Sequence, residues 1–183
     1  GRHLFYVFTH SILSCDGILV KDPGLRLAAL LLDIGKPSAA STDEEGFRIF
    51  HGHEEKSAGL AAEILRRLKF PTAVEKRVVH LVRRHMFNYD SSWTDAAVRR
   101  FIMGAGKENI EDLFLLRLAD QYATRGEKPD PKSLDEFRGR IRKVLSEDSA
   151  LSLKDLKIRG GDLTQLCGIP PGPAMGRVLD FLL

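Results

Sequence analysis

The chain has 183 residues, 43% hydrophobic and 29% charged, long enough to bury a core and short enough for one domain with an appendage. No apolar run approaches the roughly 18 residues that span a bilayer, and no signal peptide precedes the first helix, so a soluble, cytoplasmic chain with no membrane partner is expected. The formal net charge of +3 is mild, and two isolated cysteines, Cys15 and Cys167, exclude a disulfide framework or a cysteine zinc site.

The chain opens in GRHLFYVFTHSIL, without an initiating methionine, and reads as part of a longer polypeptide. Phe5 to Val20 suits a helix, with Tyr6, Val7, Leu13 and Gly17 near the face of His10. After the Asp22-Pro23-Gly24 turn, Leu25 to Asp33 forms an apolar helix stopped by Gly35 and Pro37. Ser38 to Ile49 is polar and is expected to be a mobile loop. Helices follow from about His53 to Lys69, and from Pro71, at a first-turn position, to about Met86. Thr94 caps a short helix through Met103, and Ile110 to Thr124 is the next. Gly126 to Lys132 reads as a linker and Leu134 to Leu145 as a charged amphipathic helix. From Leu151 the chain reads as two short helices around an elbow from Ile169 to Pro173. No segment has the alternation of a strand, so the expected class is all-α. The expected divisions are 1–125, a helical domain; 126–150, linker and amphipathic helix; and 151–183, a C-terminal helical tail.

Helical spacing sorts the ionisable residues. His85 shares a face with Val74, Val78, Leu81 and Val82 and should point inward, whereas His80 falls opposite, with Lys76 and Arg83, and should be solvated. His53 is placed with Leu60, Ile64 and Leu68, while His51 precedes the helix. Asp120 shares a face with Leu113, Leu116 and Ala123, and Asp33 ends its helix near Ala29. The inward set is therefore His10, Asp33, His53, His85 and Asp120. Burying such groups is costly unless they are paired or bound to a cation. For any one of them a hydrogen bond in the core suffices as explanation; for all five together a shared divalent metal is the simpler one. Magnesium, manganese, iron, cobalt, nickel and zinc all suit these donors. Seven bases, Arg66, Arg67, Lys69, Lys76, Arg77, Arg83 and Arg84, accompany one acid, Glu75, between residues 66 and 84. They read either as a phosphate-binding face or as two solvated helix surfaces.

VFTHS around His10, LAALLLDIGKP around Asp33, FHGHEEKSA around His53, LVRRHM around His85, SSWTDAAVRRF and LFLLRLAD ending at Asp120 together resemble the HD superfamily of phosphohydrolases. They resemble more closely the HD-containing body of bacterial CCA-adding tRNA nucleotidyltransferases and poly(A) polymerase-like proteins. The tail, with its Gly-x-Asp-Leu and Ile-Pro-Pro-Gly-Pro pieces, is similar to the tail of that family. The resemblance implies an HD-like helical bundle with tRNA or another RNA 3′ end as partner. It also implies an N-terminal nucleotidyltransferase head in the same polypeptide, holding magnesium ions through a Gly-Ser and an Asp-x-Asp pair. Neither motif occurs in these residues. In an HD centre the metal would be held by His10, the doublet histidine, Asp33 and Asp120, with His53 and His85 as further ligands. Asp33 would orient attack on the phosphoester. Lys36 would steady a phosphate, or simply satisfy the helix C-terminal dipole. Leu32 stands where the doublet histidine belongs, and His51 is the candidate substitute ligand. Two expectations stay open: an RNA-binding body with a weak or lost phosphohydrolase centre, or a working metal-dependent phosphohydrolase with an altered ligand set. The apolar C-terminus, Leu179, Phe181, Leu182 and Leu183, either packs on the body or makes an oligomer contact.

Overall fold

The structure is a computed structural model that describes residues 7–126, 130–150 and 160–181. Expectations placed on Phe5, Tyr6, residues 127–129 and 151–159, the side chains of Leu179 and Phe181, and the final Leu182 and Leu183 lie outside the described residues. Among the described residues the fold is all-α apart from one hairpin of two-residue strands, and the chain divides into two compact units, Gly1–Phe137 and Arg138–Leu183.

In the first unit, α1 (Val7–Asp16), α2 (Pro23–Leu31), α5 (Thr72–Arg84) and α7 (Ile110–Arg125) surround the core, with α4 (His53–Arg67) on α5. Helices α2, α5 and α7 bury the stripe that their apolar spacing dictates. Ala28 and Ala29 of α2, Val78, Leu81 and Val82 of α5, and Leu113, Leu116, Ala119 and Ala123 of α7 are all buried. Thr94 starts α6 (Asp95–Ala105) by accepting a hydrogen bond from Ala97 N, the side-chain cap that the sequence promises. The SSWTDAAVRRF segment forms an aromatic cluster: Trp93 and Phe101 gather with Phe87, Tyr89 and Phe114 around Phe137. Phe137 lies in the first turn of α8 (Asp135–Ala150). The Tyr89 ring stacks on Phe137 with centroids 4.1 Å apart, and its hydroxyl donates to Glu136 over 2.7 Å.

In the second unit, Ile141, Val144 and Leu163 are buried. There α9 (Gly160–Cys167) ends at Gly168, whose φ of +66° reverses the chain, and α10 is Pro173–Phe181. Two short helices around a proline-rich elbow is the arrangement the sequence predicts.

Three expectations need correction. Residues 38–49 are not an irregular loop: α3 (Lys36–Ala39) leads into an antiparallel hairpin pairing β1 (Ser41–Thr42) with β2 (Arg48–Ile49). Asp43 closes it, its Oδ1 accepting from the amides of Glu45 and Phe47. Strands this short leave no alternation to read. On α4, the buried face is His53, Ser57, Ala58, Ala61 and Leu65, while Leu60 and Leu68 are exposed. The contact surface is made of small residues, so size and hydropathy pointed to the wrong side. His80 is not solvated but half-buried, and its Nε2–H donates to the Ala105 carbonyl over 2.6 Å.

Arg77 of α5 holds three helices together. It bonds both oxygens of Asp22, which also caps α2, and it bonds Asp112 in the first turn of α7 over 2.6 Å. These bonds hold the Asp22 carboxyl below the usual carboxylate range and raise the guanidinium's own pKa. The cluster is about one-third exposed, so solvent screening discounts its strength. Arg77→Leu is expected to cost about 2 kcal/mol, read in urea as a lower midpoint at an unchanged slope. A midpoint equal to the parent's would show that the three charges contribute nothing beyond solvation.

Candidate functional site: a cluster of histidines and carboxylates

The segment after α2 positions the centre. Leu32–Gly35 is a turn, and Lys36 N bonds back to Asp33 O, so Asp33 and Lys36 point the same way. Gly35 lets this turn touch α4. Its amide donates to Ser57 Oγ over 2.9 Å, and a Cβ at Gly35 would stand 2.5 Å from Ser57 N and 2.7 Å from His53 O. That close approach brings His53, at the first turn of α4, to Asp33. Helix α1 delivers His10, the end of α5 delivers His85, and α7 delivers Asp120.

All five inward residues come together. They form two overlapping groups that share Asp33: Asp33, His53 and His85, and His10, Asp33 and Asp120, with the donor atoms of each within 4.8 Å of one another. His10, Asp33, His53, His85 and Lys36 are all buried. The cluster opens onto a cleft of about 520 Å³, walled also by Arg48, Phe50, His51, Met86 and Arg117. Leu32 is fully buried in the core, and His51 is exposed on the cleft wall.

Each carboxylate oxygen of the cluster faces a donor. His10 Nε2 lies 3.0 Å from Asp120 Oδ1 and 3.2 Å from Asp33 Oδ2. Lys36 Nζ donates to Asp33 Oδ2 over 2.6 Å, and Arg117 reaches Asp120 Oδ2 at 3.2 Å. His53 Nδ1–H donates to the Phe50 carbonyl over 2.8 Å, which leaves Nε2 at ion-pair distance, 3.3 Å, from Asp33 Oδ1. A carboxylate only accepts, so that contact favours the doubly protonated ring.

The electrostatics follow. Burial by itself would raise the Asp33 pKa, but the bond to His53, the charge and bond of Lys36, and the charge of His10 together hold it far below the usual range. Burial opposes protonation of His53, yet Asp33 and the Phe50 carbonyl outweigh it and raise the pKa. His85 goes the other way: burial keeps the ring neutral, with its Nδ1–H bound to the Val82 carbonyl at 2.6 Å. For Asp120 burial is again the largest influence and raises the pKa, but the bond to His10 with the charges of His10 and Arg117 lowers it overall.

The donor set pulls both ways for a divalent ion: His53 Nε2 is buried without a hydrogen-bond partner and could act as a ligand, whereas the Lys36 ammonium already holds an oxygen of Asp33. The ion would have to share Asp33, whose two oxygens already face Lys36, His10 and His53. The ammonium, 2.6 Å from Asp33 Oδ2, would repel a second cation on that oxygen. Leu32 adds no nitrogen in return.

The basic residues divide. Arg77 belongs to the Asp22–Asp112 network, while Arg66 pairs with Glu75 and Arg83 with Glu55, each at 2.8 Å. Arg67, Lys69, Lys76 and Arg84 are exposed. Arg66, Lys76, His80 and Arg83 line a groove of about 720 Å³ between α4 and α5, walled also by Ala58, Gly59 and Ala62. Two cleft residues went unnoticed in the sequence. Arg117, three residues before Asp120, carries a readable i, i+3 signal, whereas Arg48 is brought to the cleft by the hairpin, which no local pattern announces.

Residues 47–183 match the tRNA nucleotidyltransferase domain 2 family. The chain belongs to that family. The A-adding tRNA nucleotidyltransferase of Deinococcus radiodurans is 37% identical over 192 residues, an alignment covering 100% of this chain and 43% of that protein. The CC-adding tRNA nucleotidyltransferase of Thermus thermophilus is 38% identical over 159 residues, covering 86% of this chain and 35% of that one. The chain thus spans less than half the length of either relative. No solved structure matches it significantly. Among the described residues no helix is long and apolar enough to cross a membrane.

Proposed function

We propose that this chain is the RNA-binding body of a tRNA nucleotidyltransferase. On this reading a head elsewhere in the parent polypeptide, with its own magnesium ions, joins nucleotides to the RNA 3′ end. The absence of Gly-Ser and Asp-x-Asp from these residues and the chain's share of its relatives' length both support the division of labour. The observation that carries RNA binding is the basic surface of α4 and α5. Lys76 stands at a groove lined on the α4 side partly by the small residues Ala58, Gly59 and Ala62, with exposed Arg67, Lys69 and Arg84 on the same two helices or at their ends. Such a surface suits phosphates, which bind by charge and without regard to sequence.

Replacing Lys76 and Arg84 together by glutamate is expected to weaken tRNA binding and flatten its salt dependence. The slope of log K against log salt should fall by roughly 1.8, about 0.9 for each duplex phosphate no longer neutralised. Filter binding across a salt series measures it, and an unchanged slope would assign these bases to solvent.

The convergence of five donor side chains is the observation that favours the other reading, a metal-dependent HD phosphohydrolase. Weighing against it are the donors already facing each oxygen of Asp33 and Asp120 and the loss of a ligand at Leu32. On balance the centre serves as a scaffold for the body, with hydrolysis of phosphoesters weak or lost.

A further inference from the structure

The cluster holds two buried or half-buried carboxylates, and carboxylates so placed require a counter-charge. Lys36 is a residue type that almost never loses its solvent, yet only 6% of it is exposed. Its ammonium stands 2.6 Å from Asp33 Oδ2, the closest approach to either carboxylate, and 6.0 Å from the centre of the Phe50 ring. Asp33 is the residue common to both groups of potential metal donors. The one residue on which either metal position depends is therefore bound to a lysine of the same turn.

We propose that Lys36 is the resident cation of this centre, taking on Asp33 the place a divalent metal would need, so that the charge of Asp33 is balanced without metal. The remaining contacts agree. His10 bridges the two carboxylates, His53 meets the second oxygen of Asp33, and Arg117 meets the second oxygen of Asp120. Leu32 offers no nitrogen to a metal, and the Lys36 ammonium neutralises the carboxylate that a metal would neutralise. This inference does not depend on RNA binding, and the two fail separately.

The test is metal binding by the full chain, with manganese as the probe. Equilibrium dialysis of the native protein against millimolar manganese should leave no stoichiometric metal. Lys36→Met uncovers Asp33 and should bind manganese about 100-fold more tightly than the native chain. Lys36→Arg keeps the charge and should bind no better than native. If Lys36→Met is folded only when manganese is present, the metal has taken over the ammonium's task and the proposal stands. Stoichiometric, chelator-removable manganese in the native protein overturns it, whatever the variants do. So does a folded Lys36→Met protein whose affinity equals that of the native chain. tRNA binding measured alongside reports on the body's other role and is expected to be unchanged in Lys36→Arg.

Discussion

Gly35→Ala is expected to be among the most damaging single-methyl additions this chain can suffer. The added carbon would stand 2.5 Å from the Ser57 amide nitrogen, 2.7 Å from the His53 carbonyl oxygen and 2.8 Å from Ser57 Oγ. Two of these are backbone atoms of α4, which cannot turn aside as a side chain can. The helix must retreat, losing the Gly35 N–H to Ser57 bond and drawing His53 away from Asp33. Overpacking of this kind costs about 3 kcal/mol, a large part of a small domain's stability. Gly59→Ala is the control: it lies inside α4 with nothing within 4 Å of the new carbon, and gaining helix propensity should stabilise the fold by up to about 1 kcal/mol. Thermal unfolding of the pair should move in opposite directions. If Gly35→Ala melts with the parent, the tight approach of the turn to α4 is wrong.

Asp33→Ala is the second severe change. It removes the acceptor of Lys36, His10 and His53 at once and leaves an ammonium buried without its partner. Breaking a buried pair from one side costs about 3–5 kcal/mol. The Lys36→Met, Asp33→Leu double variant, which removes both charges, should recover part of that loss. The pH dependence carries the same signature. Because the folded pKa of Asp33 lies below its ordinary value of 3.8, its contribution is fully present above that pH and is lost as the pH falls below it. His53 has the opposite sign: its raised pKa gives a contribution present below the ordinary value of 6.5 and lost as the pH rises through the folded value. His85, with a depressed pKa, costs stability as the pH falls below 6.5. Urea titrations from acid to mildly alkaline pH should show the Asp33 contribution disappear in the Asp33→Ala protein at acid pH. An unchanged profile there would mean that the carboxylate is not buried and paired.

Large apolar neighbours are what made parts of the fold readable without coordinates. His85 was legible because its neighbours at helical spacing, Val78, Leu81 and Val82, are large and apolar, so the wheel had a clear inside. Asp120 was legible for the same reason. His53 was placed correctly in the cluster but on the wrong stripe. Its helix packs through Ser57, Ala58 and Ala61, residues chosen for closeness to Gly35 and α5, and no hydropathy scale ranks them above Leu60 or Leu68. Lys36 is the instructive case: the sequence offers no reason to bury an ammonium until Asp33, His10 and His53 are known to meet there. Arg77 looked like one more base in a basic run. Its partners, Asp22 and Asp112, are 55 and 35 residues away, beyond any local pattern.

The aromatic cluster has a practical use. The chain contains one tryptophan, and its ring meets Phe137 edge-on at 5.6 Å and Tyr89 at 5.7 Å. Phe137 sits in the first turn of α8 and is the last residue of the first compact unit. Emission from Trp93 is therefore an optical report on whether that turn is seated, taken at a point in the fold remote in sequence from the carboxylates. A titration that perturbs the histidine cluster while Trp93 emission holds steady locates the change in the cluster. One that shifts both shows the unit opening as a whole.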